Sequence, residues 1–152
     1  MRQIVISLVL LAGTLCAQPA SDRDFTGKWK LDESRSDIHA LPWAPLEHFT
    51  IEHAGREIRN SILMKSGAAP ILLRYTTDGK ECRNKMGETS LSSVLKWEGT
   101  ALLMHTIISD RSASHAEMDR WRLSRDGRTL TIRRQIERTR GEIEAVLVYE
   151  RE

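Results

Sequence analysis

The sequence contains segments in which apolar and polar residues alternate, and six polar or aromatic side chains occupy otherwise apolar positions of these segments. The chain could bind a small molecule through these six residues. Each shares its alternating position with neighbouring aliphatic or aromatic residues, so each is predicted to point to the interior side of a strand. Apolar walls with a few convergent polar groups are typical of small-molecule pockets. The candidate ligand-binding residues are Asn60, Tyr75, Asn84, Trp121, Arg134 and Tyr149.

Arg134 carries the most specific chemistry of the six. It lies on the same expected strand face as Leu130, Ile132 and Ile136, where a charge is costly unless it is paired. One interpretation is that its guanidinium binds the anionic head group of an amphipathic ligand. A structural alternative is a β-bulge that turns Arg134 outward.

Catalytic and metal-binding chemistry finds no support in the residue spacing. His48 and His53 are an odd number of residues apart on one expected strand, so they point to opposite faces. No Gly-x-Ser-x-Gly elbow is present, and Cys82 has no evident histidine partner. A formal net charge of +2 gives no electrostatic reason to bind nucleic acid. We therefore expect a protein without metal, cofactor, enzymatic activity or nucleic-acid partner.

Five glycine-centred turns separate the alternating runs that position these residues. They are Ala54-Gly55, Asp78-Gly79, Glu98-Gly99, Asp126-Gly127 and Arg140-Gly141. Such pairs between period-2 runs are strong hairpin signals, because glycine adopts a positive φ without steric cost. The pattern predicts ten strands, or eight if strands merge between Gly99 and Gly127.

Successive hairpins make all neighbouring strands antiparallel, and only closure of a long meander removes its two exposed edges. The predicted fold is therefore all-β, a single antiparallel up-and-down meander β-barrel of eight to ten strands. A barrel of ten strands is expected to be partly hollow, because the diameter grows with the strand number.

The N-terminus is typical of a secretory signal peptide. Arg2 precedes an apolar stretch that is too short to span a bilayer comfortably, and small residues lead to a cleavage site after Ala17. We expect a signal peptide over 1–17, a flexible N-terminus over 18–24 and the barrel domain over 25–152. The mature protein would be periplasmic or extracellular, without a stable membrane anchor. Leu15 disfavours lipidation of Cys16, because that modification needs a small residue before the cysteine.

The run Phe25-Thr26-Gly27-Lys28-Trp29-Lys30-Leu31 resembles the Gly-x-Trp opening strand of the calycin superfamily, which includes lipocalins and fatty-acid-binding proteins. The chain also resembles small exported bacterial lipocalin-like proteins, which share the hairpins over residues 75–80 and 126–132. The resemblance implies a lipocalin-like barrel in which Gly27 and Trp29 close one end. It also implies a further alternative for Arg134, namely that its guanidinium stacks on Trp29.

Two departures from the fatty-acid-binding proteins bear on the ligand. Those proteins insert a helix-turn-helix lid after the first strand, whereas residues 37–46 here are too short for two helices and contain Pro42 and Pro45. Their last strand carries an Arg-x-Tyr pair that holds the ligand carboxylate, but the matching positions here are Leu147 and Tyr149. The resemblance therefore implies the barrel and not fatty-acid binding.

The sequence thus favours an exported barrel that holds a small, mainly apolar or amphipathic ligand in its interior. An alternative is a protein-binding barrel, such as an exported inhibitor, that acts through rim loops near Trp43. A third is an enzyme that uses the cavity, suggested only by the expected convergence of Tyr75, Arg134 and Tyr149.

Overall fold

The computed structural model describes residues 23–64, 67–138 and 141–152. The expected signal peptide, its expected cleavage site, Cys16, residues 18–22 of the expected flexible N-terminus and Arg140 of the last expected turn lie outside the described residues. Within them, ten antiparallel strands form a nearly closed barrel. The strands are β1 Gly27–Leu31, β2 His48–Ala54, β3 Glu57–Ile62, β4 Ile71–Thr76, β5 Asp78–Met86, β6 Thr89–Glu98, β7 Ala101–Ser109, β8 Ser114–Leu123, β9 Thr129–Arg138 and β10 Gly141–Arg151.

The strand order confirms the up-and-down meander. Strands that follow one another in the chain are neighbours in the sheet, except at β4 and β5, and β1 also pairs with β10. In that pairing Trp29 lies opposite Arg151, which brings the two ends of the barrel domain together. At the hairpin turns Gly55 and Gly99 have φ values of 60° and 57°, in the region that favours glycine.

The join between β7 and β8 keeps these strands separate, so the strand count is ten. This turn contains no glycine. Instead the Asp110 carboxylate accepts hydrogen bonds from the backbone N–H groups of Ser112 at 2.7 Å and Ala113 at 2.9 Å. Such an Asx turn reverses the chain by side-chain hydrogen bonding, and a search for glycine turns alone overlooks it.

Strands β4 and β5 are the two ends of the sheet, and over the part of the chain that the structure describes no backbone ladder joins them. The Asn84 side chain bridges this gap. Its Oδ1 accepts a hydrogen bond from the Arg74 backbone N–H at 2.8 Å, and its Nδ2 donates to the Arg74 carbonyl at 2.9 Å. An amide side chain therefore replaces one rung of the missing ladder.

Aromatic residues pack one end of the barrel solidly. Phe25 and Trp29 are fully buried, and the Trp29 Nε1–H donates to the Phe25 carbonyl at 2.9 Å. The Phe25 ring stacks on Trp97 and meets Trp121 edge-on, each at a centroid distance of 5.8 Å. These contacts fill this end of the barrel with aromatic side chains.

The arginine that stacks on Trp29 is Arg151, whose guanidinium lies 4.9 Å from the ring centroid. The alternative that placed Arg134 there is wrong, because β1 pairs with β10 and not with β9. Gly27 admits this arrangement, since a Cβ at that position would lie 3.2 Å from the Arg151 Cγ. Arg151 also donates a hydrogen bond to the Asp24 carbonyl at 3.0 Å, so the segment before β1 contacts the barrel.

The helical content of the described ranges is one 3₁₀ turn, Glu33–Arg35, between β1 and β2. No helix in those ranges is long and apolar enough to cross a membrane. The connection from β1 to β2 is otherwise an irregular loop, as the prolines predicted.

Candidate ligand-binding cavity

A cavity of about 450 Å³ occupies the barrel between the packed aromatic end and the loop that joins β1 to β2. This volume lies within the range of roughly 300–1,000 Å³ that small-molecule pockets cover. Its walls are largely apolar because the inward positions of the alternating strands are apolar. The apolar lining includes Phe49, Ile62, Leu73, Leu91, Met104, Ile108, Ile132 and Leu147.

The mouth of the cavity lies at the end with the β1–β2 loop. Trp43, Leu46 and Met86 line the cavity here, and each is 38% exposed. The Trp43 ring lies 5.2 Å from the His115 ring, and the Arg138 guanidinium lies 5.5 Å from the Trp43 centroid. Trp43 is thus part of the rim and is held there by contacts to β8 and β9.

Five of the six candidate residues line this cavity, namely Asn60, Tyr75, Trp121, Arg134 and Tyr149. Alternation along β3, β4, β8, β9 and β10 turns all five inward. Burial raises the pKa of the Tyr75 and Tyr149 phenols, so both stay protonated and neutral at physiological pH. The sixth residue, Asn84, is not among the lining residues, because its amide bridges the gap between β4 and β5.

Arg134 forms a bidentate ion pair with Asp119, its register partner across β8 and β9. The Arg134 Nε donates to Asp119 Oδ1 at 2.8 Å, and Nη2 donates to Oδ2 at 2.7 Å. Burial alone would lower the pKa of Arg134, but the nearby carboxylates raise it, so the guanidinium stays charged. Arg134 therefore faces the interior, which corrects the interpretation that a bulge turns it outward, and its guanidinium is already paired with Asp119.

A second buried carboxylate, Glu117, lies beside this pair. Its Oε2 is 3.5 Å from the Arg134 Nε, and its Oε1 is 3.5 Å from the His115 Nε2. Burial raises the pKa of Glu117 more than the Arg134 charge lowers it, and the neighbouring Asp119 adds to the increase. The cluster thus contains two carboxylates and one guanidinium in a low-dielectric site.

Sequence reasoning did not find Glu117 and Asp119, which are 6% and 5% exposed. The available signal was their alternation, since both share the strand face of Trp121, which was expected inside. Acidic residues on a strand are usually solvated, and only a partner on the adjacent strand makes an inward acid favourable. That partner, Arg134, is 15 residues from Asp119 in the chain.

Three polar atoms of the lining have no hydrogen-bond partner among the described residues. They are the Asn60 Oδ1, the Trp121 Nε1 and the His115 Nε2. A buried polar group without a partner costs about 1–3 kcal/mol. The cavity therefore presents one free acceptor, one free donor and one imidazole nitrogen in addition to its charged cluster.

The barrel is similar to solved structures of calycin-like proteins. It matches a secretory abundant heat soluble (SAHS) protein from Ramazzottius varieornatus with a TM-score of 0.62 and 16% identity, over 88% of this chain and 98% of that one. Zebrafish ileal bile acid-binding protein complexed with cholic acid matches with a TM-score of 0.60 and 15% identity, over 84% and 98%. Caenorhabditis elegans lipid binding protein 8 matches with a TM-score of 0.61 and 14% identity, over 88% and 99%.

At these identities the similarity establishes the fold. The chain has a calycin-like, lipocalin-like barrel, as its Gly27-x-Trp29 strand predicted. No protein-family model matches the sequence, and no curated protein sequence matches it.

Proposed function

We propose that this protein binds a small, mainly apolar molecule inside its barrel without transforming it. The observation that carries the proposal is the cavity of about 450 Å³, which has largely apolar walls and a mouth at one end. A barrel packed solid along its whole length would leave no room for a ligand. Barrels of the same fold that are named as bile acid-binding and lipid binding proteins support this assignment.

The test is binding of N-phenyl-1-naphthylamine, a neutral apolar dye that becomes fluorescent in a dry environment. Leu73 lines the cavity, whereas its neighbour Leu72 is 61% exposed on the outer face. Leu73→Trp should fill the cavity and weaken dye binding at least about tenfold, or about 1.4 kcal/mol. Leu72→Trp is the matched control and should bind like the parent. Equal binding by both variants would show that the dye does not enter the barrel.

Native mass spectrometry of the protein purified from its own host measures the mass of the bound ligand. A bound small molecule should appear as a mass increment that organic extraction removes and the Leu73→Trp variant lacks. The rim residue Trp43 contributes to the cavity mouth and is accounted for by this function. We propose no separate protein-binding role for it.

We further propose that residues 1–17 direct export and that the mature chain begins at Gln18. The N-terminal pattern of one basic residue, an apolar stretch and small residues supports this proposal. Cell fractionation with intact-mass measurement tests it. A full-length chain retained in the cytoplasm would be inconsistent with export.

A further inference from the structure

We propose that the ligand carries a protonated basic nitrogen on an apolar body, and that the Glu117 carboxylate binds this nitrogen. The inference rests on the proposed binding of a small molecule inside the barrel and specifies its chemical class.

The charged side chains that line the cavity have an excess of negative charge. They are Asp110, Glu117, Asp119 and Arg134, three carboxylates against one guanidinium, and the titratable imidazole of His115 lies 3.5 Å from Glu117. The Asp110 carboxylate already accepts hydrogen bonds within its own turn at the rim. The cluster deeper in the cavity keeps two carboxylates and one guanidinium, so a cation there would balance its charge and favour the ionised form of Glu117, which burial by itself disfavours.

The distances show which carboxylate lacks a close partner. Asp119 holds the Arg134 fork at 2.7 and 2.8 Å, in charge-assisted hydrogen bonds of ordinary length. The contacts of Glu117 to Arg134 and His115 are both 3.5 Å, at the outer limit of hydrogen bonding. Glu117 is thus the group with capacity to accept from a ligand N–H.

The same cluster is unfavourable for the anionic head group of a ligand. It would have to displace Asp119 from Arg134 or lie beside two carboxylates, and buried like charges disfavour one another by several kcal/mol. The ion pair of Arg134 and Asp119 therefore makes the cavity unsuitable for a carboxylate, although the pocket contains an arginine.

Unpartnered polar atoms point independently to a ligand with polar groups. The Asn60 Oδ1 faces the cavity as a second acceptor for a ligand N–H. The Trp121 Nε1–H is a donor that requires an acceptor, which implies an oxygen or similar atom elsewhere on the ligand. The rings of Phe49 and Tyr149, edge-on at 4.8 Å, line the same space and offer aromatic surface to a cation.

The experiment compares three probes that share one alkyl chain: decylamine, decanol and decanoate, each displacing N-phenyl-1-naphthylamine near neutral pH. Decylamine should bind about tenfold more tightly than decanoate, equivalent to about 1.4 kcal/mol, with decanol between them. Because the chain is constant, the apolar contribution cancels and the ratio reports the head group.

Two isosteric variants link the preference to the cluster. Glu117→Gln should lower the ratio of decylamine to decanol affinity about tenfold, a ratio from which any general effect of the substitution on the cavity cancels. Asp119→Asn should remove one carboxylate and leave Glu117 as the counter-ion of Arg134, which shifts the preference from decylamine toward decanoate. Retained dye binding by each variant shows that its barrel is folded.

Any other result of these binding measurements contradicts either the amine assignment alone or the proposed function as well. Tightest binding of decanoate, equal binding of the three probes, or a Glu117→Gln variant with parental decylamine affinity would overturn the amine assignment. Binding of the dye and decanol in those cases leaves the proposed function standing. Failure of the dye and all three alkyl probes to bind would refute both.

Discussion

Removal of Arg134 should destabilise the barrel more than removal of Asp119, although the two side chains share one ion pair. Breaking a buried pair by deleting one partner costs about 3–5 kcal/mol. Asp119→Asn should fall below this range, at about 2 kcal/mol, because Glu117 lies 3.5 Å from Arg134 and replaces the lost counter-ion. Arg134→Gln should cost about 4 kcal/mol, because it leaves two buried carboxylates without a cation.

The assay is equilibrium urea denaturation followed by tryptophan fluorescence, with both single variants and Asp119→Asn/Arg134→Gln. The double variant should cost about 2 kcal/mol, well below the sum of the single changes, because its remaining groups are neutral amides and Glu117. Acidification should reduce the cost of Arg134→Gln, since protonation of Glu117 removes one of the repelling charges. An Asp119→Asn cost equal to or above that of Arg134→Gln would show that Glu117 does not act as a second counter-ion, and strictly additive costs would show that Asp119 and Arg134 are not coupled.

Three further changes test other parts of the structure. Burial raises the pKa of Glu117 above its ordinary value of 4.5, so the folded barrel favours the protonated carboxyl. The contribution of this group to the free energy of unfolding is therefore fully present below about pH 4.5 and is lost as the pH rises through the raised pKa. Glu117→Gln should therefore be more stable than the parent near neutral pH and lose this advantage at about pH 4, in urea denaturation at both pH values. Asn84→Ala should cost about 1–3 kcal/mol and accelerate hydrogen exchange of the Arg74 amide, which would not change if the bridge were unimportant. Trp43→Ala should raise the dissociation rate of N-phenyl-1-naphthylamine, measured by stopped-flow fluorescence. Little stability should be lost, because Trp43 is 38% exposed at the cavity mouth. An unchanged dissociation rate would show that Trp43 does not restrict the exit of the dye.

Much of the interior could be predicted because side-chain direction in a strand is local. Once an alternating run is recognised, the parity of Tyr75 or Arg134 with its apolar neighbours decides its face. This reasoning placed five of the six candidates in the cavity lining. It did not place Asn84, because the curvature that leaves β4 and β5 unpaired is a property of the whole sheet.

Partners across strands were harder to predict because they depend on register. Asp119 faces Arg134 only in the observed pairing of β8 with β9, and a shift of one residue would turn every side chain of a strand to the other face. The arginine over Trp29 is Arg151 because the first and last strands meet when the barrel closes. The residues near Trp29 in the sequence do not indicate that β1 pairs with β10.

Period-2 alternation and glycine turn chemistry act over a few residues, so the all-β meander, the inward set of residues and the resemblance to calycins could be inferred from the sequence alone. The end of the barrel at which the cavity opens, the strands that remain unpaired and the carboxylates that face Arg134 became visible in the folded chain. These properties arise from contacts between residues far apart in the chain. The pairing of Arg134 with Asp119 is the clearest case, because it makes an arginine that the sequence presents as a candidate anion-binding group one half of an internal ion pair.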